Sequence, residues 1–224
     1  MPQTVALLRS LPADVCFADV LGHHGGITVE TSGELPAEGP LVVAANHPYP
    51  ILDYYGLAFA VEQRRGGRVR VVVDALSKPM RELHPLLAFV GDSDEERDAF
   101  WREQSAFLRD GGAVVIFPAG QTNYRDGEGV AVETPWRGGA LKLASLADAT
   151  LVPAFVRAET SFGYNLLRRL LPRGVVQNLN LREAHTRSAT VDVTFGAPLD
   201  VAALSTDALR DAVYTVGGVG FRLG

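Results

Sequence analysis

Around Leu41-Val42-Val43-Ala44-Ala45-Asn46-His47-Pro48-Tyr49-Pro50-Ile51-Leu52-Asp53 the rest of this 224-residue chain falls into order. The apolar start predicts a buried strand. That strand carries a histidine to its C-terminal end, where ligand crevices open in α/β sheets. Pro48 and Pro50 each lack an N–H and restrict the residue before them, so no ordinary helix runs through His47. Pro50 suits the first turn of a helix and puts Asp53 early in it. On one continuous helix six residues turn through roughly 600°, and His47 and Asp53 would face different sides. A loop between them lets the imidazole fold back onto the carboxylate. Such a pair makes a general base, because the carboxylate fixes the tautomer and stabilises the imidazolium. Asp53 fits equally well as a first-turn acid favoured by the helix dipole, so the pair needs support from elsewhere.

The chain on either side alternates strands with helices. Ile27–Thr31 has strand alternation. Tyr54 to Val61 continues the helix that holds Asp53 and ends at Arg64-Arg65-Gly66-Gly67. Val69–Val73 reads as a strand inside a parallel sheet, and Met80, Leu83, Leu86 and Leu87 suggest a helix after it. Ser93 to Glu96 has capping-box spacing and opens a helix over 94–110 that Gly111-Gly112 stops. Ala113–Phe117 is the next buried strand and runs into Pro118-Ala119-Gly120-Gln121-Thr122-Asn123. A strand ending in a Pro/Gly loop with free amides suits an oxyanion or phosphate, and equally an ordinary connection. A helix over Gly138–Ala144, strands at 151–156 and 191–195, a helix near 201–214 and a loose Gly-rich tail from Gly217 complete the pattern. Residues 1–20 hold one short helix, and His23-His24-Gly25-Gly26 is a solvated turn without a third metal ligand at a diagnostic spacing. With no repeat or linker, the expectation is one α/β domain over 1–224: a sandwich with a central, largely parallel mixed sheet flanked by helices.

Composition narrows the classes. Hydrophobic residues make up 47% of the chain, as in a globular protein. Twenty-one basic against 26 acidic side chains leave a net charge of −5, unlike a general nucleic-acid binder. A single cysteine, Cys16, suits a reducing compartment. No signal peptide is visible, and no window reaches the roughly 18 apolar residues a spanning helix needs. The chain has no G-x-S-x-G elbow, P-loop or G-x-G-x-x-G, so serine-hydrolase and nucleotide readings lack their signature.

Several stretches in order resemble the glycerolipid (lysophospholipid) acyltransferases. Asn46-His47 with Asp53 is similar to that family's catalytic pair at a strand end. Phe117-Pro118-Ala119-Gly120 resembles its Phe-Pro-Glu-Gly turn, and Trp136 to Ala144 its Gly-bearing helix. Leu151-Val152-Pro153-Ala154 resembles its Val-Pro-Val strand, and Phe195-Gly196-Ala197-Pro198 its closing Phe-Gly-x-Pro turn. The resemblance spans about residues 41–200. It departs at three points. Five residues separate His47 from Asp53 where the family has four, a longer gap that occurs in hemolysin-like and ornithine-lipid branches. Ala119 replaces the glutamate. Phe89-Val90-Gly91-Asp92-Ser93 lacks the arginine that binds acceptor phosphate.

The resemblance implies an enzyme that moves a fatty acyl group from acyl-CoA or acyl carrier protein to a hydroxyl or amine of a lysophospholipid-like acceptor. His47 would be the base, with Asp53 orienting it. Asn46, Tyr49, Phe117, Pro118, Ala119, Gly120, Gln121 and Arg125 would bind substrate, Asn46 chiefly by bracing the loop and Arg125 in place of the missing arginine. No metal and no cofactor are implied. Arginines 64, 65, 68, 70, 168, 169 and 173 are candidates for the donor's phosphates or an acidic carrier, and equally for solvated surface charge. Phe162–Leu171 mixes apolar and basic residues, which suits a membrane surface or a packed amphipathic helix. The expected place is cytoplasmic, with a peripheral contact on the inner membrane face. Two alternatives stand beside this reading: the same chemistry on an amino-acid lipid or specialised metabolite, and a catalytically silent acyl- or lipid-binding protein.

Overall fold

The computed structural model describes residues 15–24, 27–49, 52–73, 85–158 and 189–224. In chain order the elements are α1 (Phe17–His24), β1 (Ile27–Ser32), β2 (Leu41–Ala45), α2 (Leu52–Arg65), β3 (Val69–Val73), β4 (Leu87–Phe89), α3 (Asp94–Arg109) and β5 (Ala113–Ile116). They continue with β6 (Tyr124–Arg125), β7 (Ala131–Glu133), α4 (Gly139–Ala147), β8 (Thr150–Ala158), β9 (Ala189–Phe195), α5 (Thr206–Gly217) and β10 (Phe221–Leu223). Seven strands form the main sheet in the order β1-β9-β8-β2-β5-β3-β4. Five of them, β8, β2, β5, β3 and β4, run parallel, while β9 meets β8 antiparallel and β1 runs parallel to β9. The expected mixed, largely parallel sheet between helices is the architecture observed.

β2 lies at the centre, between β8 and β5, and all five of its residues are buried. Its side chains alternate between the two faces, as the pleat requires. Leu41, Val43 and Ala45 join a core with α1 and α2, whereas Val42 and Ala44 join one with α3, α4 and α5. This two-sided burial explains the continuous apolar run in the sequence. Gly56 lets α2 lie directly on the sheet: a Cβ there would stand 2.7 Å from Val191 Cγ1. Capping of α3 follows the sequence pattern, with Ser93 accepting from the Glu96 amide and Glu96 accepting from the Ser93 amide.

Three expectations change. Leu87 is not helical but begins β4, pairing with Val71 at the sheet edge, because Leu87-Ala88-Phe89 can extend the apolar surface beside β3. Met80 and Leu83 lie outside the described residues, as do residues 5–8, Gly25, Gly26, and 159–188 with Phe162–Leu171, Arg168, Arg169 and Arg173. His23 and His24 end α1 rather than form a turn. The Gly-rich tail is also ordered into structure. After Gly218 caps α5 with φ +62°, Phe221–Leu223 pairs in parallel with β7 to complete a small β10-β7-β6 sheet. The Phe221 ring packs on Tyr214 at 4.5 Å between centroids, an apolar contact that glycine content does not reveal.

Among the described residues no helix is long and apolar enough to cross a membrane.

Candidate active site

The parallel strands deliver two loops to the same end of the sheet. One follows β2 and carries Asn46, His47 and Tyr49. The other follows β5 and carries Phe117 to Asn123. Adjacent register between Ala44 and Ile116 brings them side by side. The loops are tied together where the Asn123 N–H donates to the His47 carbonyl at 2.8 Å.

His47 and Asp53 meet. Nδ1 of His47 lies 2.5 Å from Oδ2 of Asp53, whose side chain is fully buried while the imidazole is 16% exposed. A carboxylate accepts only, so Nδ1 carries the hydrogen and the lone pair sits on Nε2. The carboxylate is itself fixed: Oδ2 also accepts from the Tyr49 N–H at 3.0 Å, and Oδ1 from the Tyr54 N–H at 2.8 Å. Its place in the first turn of α2 adds the favourable end of the helix dipole. The dipole and the pairing act on the same carboxylate, so the two readings of Asp53 are compatible. The imidazole packs against the Phe117 ring at 4.7 Å and faces Tyr54 at 6.4 Å.

The remaining predicted site residues divide. Asn46 is buried and faces β8, where its amide bonds the main chain of Val156. Tyr49 meets Asp53 through its main chain and is buried in the core. Pro118 and Ala119 are buried; Gly120 is exposed at φ +64°, a conformation that favours glycine. The Gly120 N–H is not free for substrate, because it closes a turn onto the Phe117 carbonyl at 2.9 Å. Gln121 keeps a buried side-chain oxygen that has no hydrogen-bond partner among the described residues. Arg125 is exposed and donates to the Gly129 carbonyl at 2.7 Å. It lines a shallow cleft beside the loops, with Asn46, Pro48, Asn123, Arg157 and Tyr214.

Arginines 64, 65, 68 and 70 stand elsewhere. Arg65 binds the carbonyls of Pro36, Gly39 and Gly111, and Arg68 and Arg70 pair with Asp110 and Glu103. Arg64 reaches the Gly33 carbonyl and Thr31. Arg65 thereby sits at the N-terminal ends of β2 and β5, opposite His47. Structural stapling is the role that these contacts support.

Sequence reasoning passed over Arg137 and Asn123 as site residues. The Arg137 guanidinium stands beside Gly120, 3.7 Å from where a Cβ would sit there, and the residue's main-chain N–H donates to the Pro118 carbonyl. Its signal was present, since it stands second in the Trp136–Ala144 stretch that resembles a family block.

The acyltransferase family model matches residues 26–157, more than half of the chain. The chain belongs to the acyltransferase family. The matched region of this acyltransferase carries both loops, His47 and Asp53. A curated relative is a lyso-glycine lipid O-acyltransferase from Phocaeicola vulgatus, 24% identical over 179 residues. That match takes in 76% of this chain and 64% of the relative, so the chain spans less than two thirds of the relative's length. In fold, the chain is similar to the 1-acyl-sn-glycerophosphate (LPA) acyltransferase PlsC from Thermotoga maritima. The TM-score is 0.52 at 15% identity, covering 97% of this chain and 78% of that one.

Proposed function

We propose that the protein transfers an acyl group from a thioester donor, acyl-CoA or acyl carrier protein, to a lysolipid hydroxyl. The observation that carries this reading is the His47–Asp53 pair at 2.5 Å, set under the Phe117–Asn123 loop. Nε2 of His47 takes the hydroxyl proton as the oxygen attacks the thioester carbonyl. Asp53 holds the imidazole in the working tautomer and offsets its positive charge. When the tetrahedral intermediate collapses, the C–S bond breaks and the imidazolium returns the proton to the departing thiol. With the Gly120 amide already bonded, the Ala119 and Gln121 main-chain amides are the donors left near the oxyanion. Gln121 and Arg137 offer polar contacts to the substrate, and Arg125 with Arg157 a positive rim to the adjacent cleft. The site of action is the cytoplasmic face of a membrane, reached peripherally.

Ala119 favours an amino-acid lysolipid over a glycerol phosphate as acceptor, because the family's glutamate around the acceptor is absent. The name of the Phocaeicola relative points the same way.

Thiol release from an acyl-CoA series, with lyso-glycine lipid or lysophosphatidic acid and a His47→Ala control, tests the proposal. Release that requires both acceptor and His47 is expected, faster with the amino-acid lipid. Full turnover by a folded His47→Ala protein would sink the base assignment. No release with any acyl-CoA or acyl-carrier donor would favour a silent acyl-binding protein.

A further inference from the structure

Beside the His47 loop lies a buried polar chain, two of whose members, Asn123 and Tyr214, also line the cleft, and to which the proposed chemistry gives no step. The Asn123 main-chain N–H bonds the His47 carbonyl, and its side-chain amide donates to Tyr214 Oη at 3.1 Å. Tyr214 in turn donates to Glu133 Oε2 at 2.8 Å, while Glu133 Oε1 accepts from the Thr134 N–H at 3.2 Å. Exposure is 6% for Asn123, 2% for Tyr214 and nil for Glu133. The three residues come from the loop after β5, from α5 and from β7. Only tertiary packing brings them together.

A site that needed only filling would hold apolar side chains, since a buried carboxyl and phenol are costly unless fully bonded. Here each polar group has a partner, and Asn123 joins the chain to the histidine: its main-chain N–H donates to the His47 carbonyl, while its side chain donates the other way, to Tyr214. Because Tyr214 gives its hydrogen to Glu133, its oxygen lone pairs are free to accept from Asn123. That fixes the Asn123 side chain, and with it the N–H that holds the His47 main chain. The tail seals the arrangement. Gly224 donates to the Glu133 carbonyl at 3.0 Å, and Phe221 covers the Tyr214 ring.

We propose that Glu133 and Tyr214 are positioning residues for His47, acting through Asn123. The proposal rests on the reading of His47 as the base. Without the Tyr214 hydroxyl the Asn123 amide loses its anchor, the N–H···O=C bond to His47 opens more often, and the imidazole departs from its line with Asp53 and Phe117. The chain acts on the reacting step rather than on substrate affinity.

Tyr214→Phe removes only the hydroxyl, and two measurements on the full chain read its effect. Amide hydrogen exchange at Asn123 should quicken on the order of tenfold, the worth of about one hydrogen bond, with β2 and β5 amides unchanged. In acyl-CoA turnover, kcat should fall by a similar factor at unchanged KM. Glu133→Gln, which still offers Tyr214 an acceptor, should keep most of the rate, whereas Glu133→Leu should not. Asn123→Ala, cut at the other end of the chain, should match Tyr214→Phe. Wild-type exchange at Asn123 in Tyr214→Phe would overturn the relay. Exchange quickened across the whole sheet would do so too, as would a change in KM alone. If the wild-type protein transfers no acyl group, the proposed function fails, and exchange at Asn123 still decides the relay.

Discussion

Asn46 and Val156 form a two-point hydrogen bond: the Asn46 side-chain N–H donates to the Val156 carbonyl at 2.9 Å, and the Val156 N–H donates to Asn46 Oδ1 at 2.7 Å. At the end of β2 the side chain thus imitates one more rung of the parallel ladder with β8. It anchors the residue directly before His47. Asn46→Ala leaves both Val156 groups buried without partners, so a loss of about 2–4 kcal/mol is expected in urea unfolding. Asn46→Asp keeps the acceptor but sets an oxygen against the Val156 carbonyl, and should not rescue either stability or turnover.

Asp53 has two duties, holding the imidazole and accepting from two main-chain amides. Asp53→Asn keeps one oxygen, enough for the Tyr54 amide, but loses the charge opposite the imidazole and the second oxygen, which accepts from Tyr49. The fold should persist by circular dichroism while kcat falls about 10²–10⁴-fold. A kcat near wild type in this variant would remove Asp53 from the mechanism.

Burial pushes the Glu133 carboxyl above its ordinary value, against opposing hydrogen bonds from Tyr214 and the Thr134 amide. A carboxyl raised in the folded state binds its proton more tightly there than in the unfolded chain. Its contribution to stability is therefore full below the ordinary carboxylate range and is lost as pH rises toward the raised value. Glu133→Gln cannot titrate. Urea midpoints measured from acid to neutral pH should fall for the wild type relative to Glu133→Gln; parallel curves would show that Glu133 titrates as it does unfolded.

Gly217, the last residue of α5, lies against the Phe155 ring, and a Cβ there would come within 2.4 Å of it. Alanine gains up to about 1 kcal/mol in helix propensity, but the clash forces α5 from the sheet at a cost of about 1–3 kcal/mol. Net destabilisation of Gly217→Ala is expected. It should shrink in a Phe155→Leu background, as a double-mutant cycle by thermal unfolding would reveal.

Much of the site was legible because its parts are local. The apolar run of β2, the prolines after His47 and the capping box of α3 each depend on residues a few positions apart. The same locality placed Asp53 early in α2, within reach of His47. β4 and the tail strand were misread because their partners, Val71–Val73 and Ala131–Glu133, are remote in sequence, and three-residue strands carry no usable period.

By itself, then, the sequence determined the strand–helix alternation, the place of His47 and Asp53 on either side of a proline-bearing loop, and the second loop beginning at Phe117. Tertiary structure alone decided what stands behind them. Asn123, Glu133 and Tyr214 meet where the fold brings the loop after β5, β7 and α5 within hydrogen-bond reach, and Arg65 is drawn to the far end of the sheet by the carbonyls of Pro36, Gly39 and Gly111. The physical reason is range. Periodicity and turn chemistry act over a few residues, whereas a buried polar group finds its partner only after the chain has folded around it.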